Sequence, residues 1–176
     1  MTWTNHMEQD ELEQRICDAT QASCVSAWTP IQSLWSGYGQ IWRVNVQDAT
    51  VLTAVVKHVQ PPLTARQPKG WNTKQSHQRK IHSYEVEACW YRDWSSKLAG
   101  HCRVANSHAI HTGDNEFLFV LEDLDAAGFA QRHASLGPVP AGAVLRWLAR
   151  FHARFLNHPP SGLWKTGTYW HLQTRP

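Results

Sequence analysis

Lys57 stands inside the apolar run Val51-Leu52-Thr53-Ala54-Val55-Val56-Lys57-His58-Val59, and Glu87 stands in the middle of an apolar helical stripe further along. A buried amine and a buried carboxylate are each costly alone and tolerable when paired. The glycines of Ser36-Gly37-Tyr38-Gly39 mark a turn whose backbone N–H groups can approach a polyphosphate with no Cβ in the way. A fixed ammonium beside such a turn is suited to holding anionic oxygens. Two plainer readings stay open: an edge-strand lysine reaching to water along its stem, and a purely structural ion pair.

Other arrangements carry less. Asp123 and Asp125 form an Asp-x-Asp that reads as solvated linker carboxylates rather than a metal site. His108 and His111 fall on opposite faces of an expected strand, and no His-Glu-x-x-His occurs. His152, inside an apolar helix, reads as a core histidine. The glycine turn lacks the Gly-Lys-Ser/Thr of a Walker loop and opens no helix, and no Gly-x-Ser-x-Gly is present.

These residues need elements to position them. Met7 to Ala19, with Leu12 and Ile16 at helical spacing, reads as a short surface helix. Ile31 to Trp35, Gln40 to Val46 and Val51 to Val59 read as three strands joined by short turns, an antiparallel meander. Pro61, Pro62, Pro68 and Gly70 mark a loop. From Lys74 to Leu98 the period is helical, with Ile81, Tyr84, Ala88, Tyr91, Trp94 and Leu98 on one side and Glu87 among them. Cys102 to His111 and Glu116 to Leu121 read as two more strands, and Ala141 to Asn157 as a strongly apolar helix ended by Pro159-Pro160. The fold class expected is α+β, a five-stranded antiparallel sheet with one long helix. The expected division is 1–27 as a helical extension, 28–122 as the sheet lobe and 123–176 as the start of a helical lobe.

With 42% hydrophobic and 18% charged residues the 176-residue chain reads as globular. The net charge of +3 is spread along the sequence and marks no nucleic-acid footprint; Lys69 to Lys80 reads as a solvated loop leading into a helix. Four cysteines without paired spacing read as free buried thiols in a reducing cytoplasm. No apolar run approaches a membrane span. Most of the ten tryptophans, Trp42, Trp90, Trp94 and Trp147 among them, fall at packing positions rather than forming a carbohydrate platform.

From about Leu34 to Ala153 the ordered set of segments resembles the N-terminal part of the aminoglycoside-phosphotransferase and choline-kinase-like family, especially its branch related to ecdysteroid kinases. Val55-Val56-Lys57 resembles that family's phosphate-binding strand, and Tyr84 to Tyr91 its lysine-pairing helix with Glu87 at the pairing position. Phe117 to Leu124 resembles its adenine-binding hinge, and Trp147 to Ala153 the helix before its catalytic loop. The resemblance implies a protein-kinase-like N-terminal lobe followed by the first helices of a truncated C-terminal lobe. It implies ATP and Mg²⁺ as cofactors and a small hydroxyl-bearing substrate, with γ-phosphoryl transfer as the reaction. Ser36, Gly37, Gly39, Lys57, Glu87, Glu122 and Leu124 would then hold the nucleotide. The family's His-Gly-Asp loop and its later metal-binding Asp do not occur in these residues. The chain alone is therefore expected to lack phosphotransfer, to carry no catalytic residue and to self-associate through its last apolar helix. The alternative is a non-catalytic nucleotide-binding or protein-interaction module.

Overall fold

A computed structural model of the chain describes residues 6–34, 37–61, 74–100 and 102–166. Helix α1 (His6–Thr20) is followed by strands β1 (Cys24–Ser33), β2 (Gly39–Gln47) and β3 (Thr53–Val59), then helix α2 (Lys74–Cys89). Strands β4 (Ser107–Gly113) and β5 (Glu116–Glu122) and helix α3 (Pro138–Phe155) complete the fold. All five strands pair antiparallel, in the order β1-β2-β3-β5-β4. The architecture is α+β, with β3 central between β2 and β5.

Alternation along the strands gives the sheet two apolar faces, because successive side chains point to opposite sides. Trp42, Val44, Val46, Ala54, Val56, Leu118 and Val120 form one core with Leu12 and Ile16 of α1. Val59, Phe117, Phe119 and Leu121 form the other with Tyr38 and with Tyr84 and Ala88 of α2. The helix read as a surface extension is therefore part of the core: Ile16 is fully buried. Its polar sequence misleads because its apolar contact with the sheet is narrow, centred on Leu12 and Ile16. A chain of charges ties it down. Arg15 bonds Glu116 at 3.0 Å, and Glu116 contacts His58 at 2.6 Å. Burial pushes the Glu116 carboxyl up, but the His58 and Arg15 bonds outweigh it and hold the group below the usual range.

β1 begins seven residues before the strand read from sequence, so the division at residues 27 and 28 falls inside it. As an edge strand with mostly exposed side chains it lacks an apolar alternation, and Pro30 is accommodated at a break in the ladder. β4 starts at Ser107 rather than Cys102, because its only partner, β5, offers seven residues. The long helix keeps α geometry only to Cys89. A π turn (Trp90–Trp94) and a 3₁₀ turn (Ser95–Leu98) continue it, and Trp90 and Trp94 meet Phe155 of α3 there, at 5.9 and 5.5 Å between ring centroids. α3 starts at Pro138, whose missing N–H costs nothing in a first turn.

Outside that aromatic seam α3 is open: Val144, Leu145 and Leu148 are exposed, and so is His152, which is not a core histidine. Trp42 and Trp94 are buried, whereas Trp90 and Trp147 are only half-buried. All four cysteines are free, but only Cys17 and Cys102 are buried. Among the described residues no helix is long and apolar enough to cross a membrane.

Asp123 and Asp125 are not solvated linker carboxylates. Arg43 of β2 grips Asp123 through Nε and Nη2 at 2.7 and 3.1 Å and reaches Asp125 at 2.5 Å, while the Thr53 hydroxyl donates to Asp123 at 3.0 Å. Only 3% of the Asp123 side chain is exposed, so the segment after β5 is clamped to the sheet. Burial raises the Asp123 carboxyl, but Arg43, Thr53 and the Asp125 N–H together hold it below the usual range. A carboxylate with a depressed folded value contributes stability above its unfolded value and loses it as pH falls through the folded one. Arg43→Ala is expected to cost about 2–3 kcal/mol at pH 7, because it strands a buried carboxylate. The gap from wild type should narrow below about pH 4, where Asp123 protonates in the unfolded chain. Urea unfolding at pH 7 and pH 3 reads it; a gap that does not change with pH would remove the clamp.

Candidate functional site

Lys80, Tyr84 and Glu87 of α2 and Tyr91 of the π turn that continues it, spaced by four, three and four, share the helix side that faces the sheet. Opposite them Lys57 projects from β3, on the face it shares with Val59 and Phe119. The Lys57 ammonium meets both Glu87 carboxylate oxygens, at 2.8 and 2.5 Å. The Lys57 side chain is 15% exposed and that of Glu87 30%. The lysine therefore neither snorkels to water nor sits on an edge strand, since β2 and β5 flank it. Its ammonium also lies 5.0 Å from the Tyr84 ring centroid and 5.2 Å from that of Phe119.

Lys80 belongs to the same cluster, its ammonium 5.4 Å from the Tyr84 centroid. Burial lowers the Lys80 pKa and the neighbouring Lys57 charge lowers it further, with Glu87 opposing. Lys80 is thus a half-buried member of the site rather than the end of a solvated loop. Its place four residues before Tyr84 and seven before Glu87 was the signal available in the sequence. Burial, and then Glu87, raises the Tyr91 phenol.

The glycine hairpin is divided in its roles. Gly39, at φ 142°, passes so close to β3 that a Cβ would stand 2.0 Å from the His58 carbonyl oxygen. That close approach alone requires glycine here. Gly37, at φ 72°, has open space where a Cβ would go, and is the hairpin glycine that a ligand could approach. Ser36 lies outside the described residues. Between the glycines Tyr38 turns inward, 1% exposed, and its hydroxyl meets His77 Nδ1 of α2 at 2.6 Å. Neither Tyr38 nor His77 is conspicuous in the sequence.

Glu122 and Leu124 fall where β5 ends. The Glu122 N–H donates to the Asn106 carbonyl at 2.8 Å, and its carboxylate accepts from Asn106 N–H at 3.0 Å and from Arg103. The Arg103 bond holds this carboxyl below its usual value against the effect of burial. The Leu124 carbonyl accepts from Phe129 N–H at 2.8 Å. Phe119, which pairs with Lys57, lies three residues before Glu122 on β5, about 10 Å along the strand.

Asp123 and Asp125 face Arg43 and Arg132. Among the described residues no three histidines, cysteines or carboxylates gather to hold a metal. They assign no ligand to the Mg²⁺ that the resemblance implies. Compared with protein-family models, with curated proteins and with solved structures, the chain finds no match in any of the three.

The two glycines should separate experimentally. Gly39→Ala is expected to destabilise the chain by about 3 kcal/mol, because the β3 backbone would have to move. Gly37→Ala should cost about 1 kcal/mol, the penalty of left-handed backbone without a clash. Equal losses in thermal unfolding would show that Gly39 does not make this contact.

Proposed function

We propose that this chain binds a nucleoside polyphosphate of the ATP class, as the nucleotide-binding lobe of a kinase-like phosphotransferase acting on small hydroxyl-bearing molecules. The observation that carries the reading is the Lys57–Glu87 pair itself. Its lysine is on the third strand, its glutamate on the helix that follows, and a glycine hairpin joins the two strands before. Protein kinases hold the α- and β-phosphates of ATP with a lysine and a glutamate so placed, under a glycine-rich loop. In this reading Lys57 contacts phosphate and Glu87 fixes the ammonium, while Gly37 lies toward the ligand. The end of β5 at Glu122 and Leu124 lies toward the base. About 10 Å of strand separates that end from the lysine, roughly the reach of an adenosine from its base edge to its first phosphate.

Transfer would also need a base for the hydroxyl proton and ligands for magnesium, roles that no described residue is assigned. What these residues do is bind and orient. Lys57→Met keeps the stem that packs on Tyr84 and Phe119 and removes only the charge. It is expected to weaken ATP and ADP binding about tenfold or more in calorimetric titration, the scale of a lost charge-assisted bond, and to lower stability without unfolding the chain, because Glu87 loses its partner. Equal affinity in both proteins would remove Lys57 from the site and the reading with it.

The exposed face of α3 supports a second reading, a module that associates through Val144, Leu145 and Leu148. Light scattering should then show concentration-dependent dimers that Leu145→Lys disperses. A monomer at every concentration would end that reading.

A further inference from the structure

Among the described residues, carboxylates at both ends of β5 are met by cationic partners. Glu116 meets His58 and Arg15, and Asp123 meets Arg43 and Thr53. Around Tyr84, two ammonium groups face one carboxylate. Glu87 gives both oxygens to Lys57. Among the described residues no carboxylate forms an ion pair with Lys80, whose ammonium has the Tyr84 ring beside it. The site therefore carries one uncompensated positive charge in a half-buried place. The lowered Lys80 pKa agrees with this, since burial and Lys57 together outweigh the pull of Glu87.

The donor count points the same way. An ammonium has three N–H donors. Lys57 directs two at Glu87, which leaves one for a ligand, whereas Lys80 keeps all three free of carboxylate. An anion bound here would take more hydrogen bonds from Lys80 than from Lys57. The two ammonium groups lie 5.0 and 5.4 Å from the centroid of the same ring, near enough for the Lys57 charge to act on Lys80.

We propose that Lys80 is a second phosphate-binding residue and that, with Lys57, it makes the site select linked phosphates over a single one. The proposal rests on the nucleotide reading of the Lys57–Glu87 site and adds the residue that carries most of its polyphosphate contact. Lys97, which lies over the Trp94 ring outside the cluster, provides a control for loss of one positive charge.

The test is calorimetric titration of the full chain with inorganic tripolyphosphate, ATP and AMP at fixed ionic strength. Lys80→Met is expected to weaken tripolyphosphate and ATP binding about tenfold or more. Lys97→Met should bind as wild type does, and AMP should bind weakly and respond little to Lys80→Met. Near-UV circular dichroism reports folding, and Lys80→Gln provides a second neutral variant should Lys80→Met be misfolded. Unchanged tripolyphosphate affinity in the Lys80 variants, with a loss in Lys57→Met, would overturn the role of Lys80 and leave the nucleotide reading standing. Unchanged affinity in the Lys57 and Lys80 variants alike, or no binding by wild type, would overturn both.

Discussion

An ammonium on an inner strand of a sheet must have a counter-charge delivered to it, and that requirement on Lys57 organises the molecule. β2 and β5 flank β3, so Lys57 has no sideways route to water. Left alone there, the charge would cost several kcal/mol. Glu87 can reach it only if α2 lies across the sheet, and what holds α2 there is apolar: Tyr84 and Ala88 packed on Val59, Phe117, Phe119 and Leu121. The division of labour is physical. Hydrophobic contact is non-directional and supplies the docking, whereas the ion pair fixes rotation, since a shift of one residue would turn Glu87 by about 100° away from its partner.

That arrangement leaves the second face of the sheet to be covered, and α1 covers it. Leu12 and Ile16 close the core over Val44, Val56, Leu118 and Val120. At both ends of β5 a carboxylate binds an arginine from another element, Glu116 with Arg15 of α1 and Asp123 with Arg43 of β2. The sheet is thus closed above and below by packing and at its rim by charge. Both rim carboxyls are held below their ordinary values although burial pushes the other way, so the partners dominate.

How legible this was depended on whether a residue's reason lay within its own element. The inner strands β3 and β5 could be read because burial on both faces demands a continuous apolar run. α2 and its glutamate could be read because a carboxylate in an apolar stripe breaks a helical period. β1 was cut short because an edge strand need not alternate. α1 is legible as a helix but not as part of the core, because two apolar side chains in a polar helix give little signal. The surroundings of Asp123 and Gly39 are illegible for a shared reason: each answers to another strand, Asp123 to Arg43 of β2 and Gly39 to the His58 carbonyl of β3. Such contacts depend on the pairing register, which no local pattern states. Lys80 was legible by spacing alone, but the basic composition around it suggested solvent.

The site depends on Tyr84 more than on either charge. Its ring, 3% exposed, lies against Lys57 and Lys80 and packs on Phe117 at 5.8 Å and Tyr38 at 6.4 Å. Tyr38 belongs to the glycine hairpin and is tied by its hydroxyl to His77 at the start of α2. Hairpin, strand lysine and helix lysine are therefore positioned by one buried ring, and none can move far without disturbing the others. A cluster of donors held in this way needs little reorganisation to meet an anion, which is the condition under which fixed charges bind or stabilise developing charge most effectively. Removing the ring would loosen the hairpin and both lysines together, whereas removing either charge leaves the apolar contacts that dock α2 in place. The geometry of the site is thus a property of the core, and only its charge belongs to the lysines.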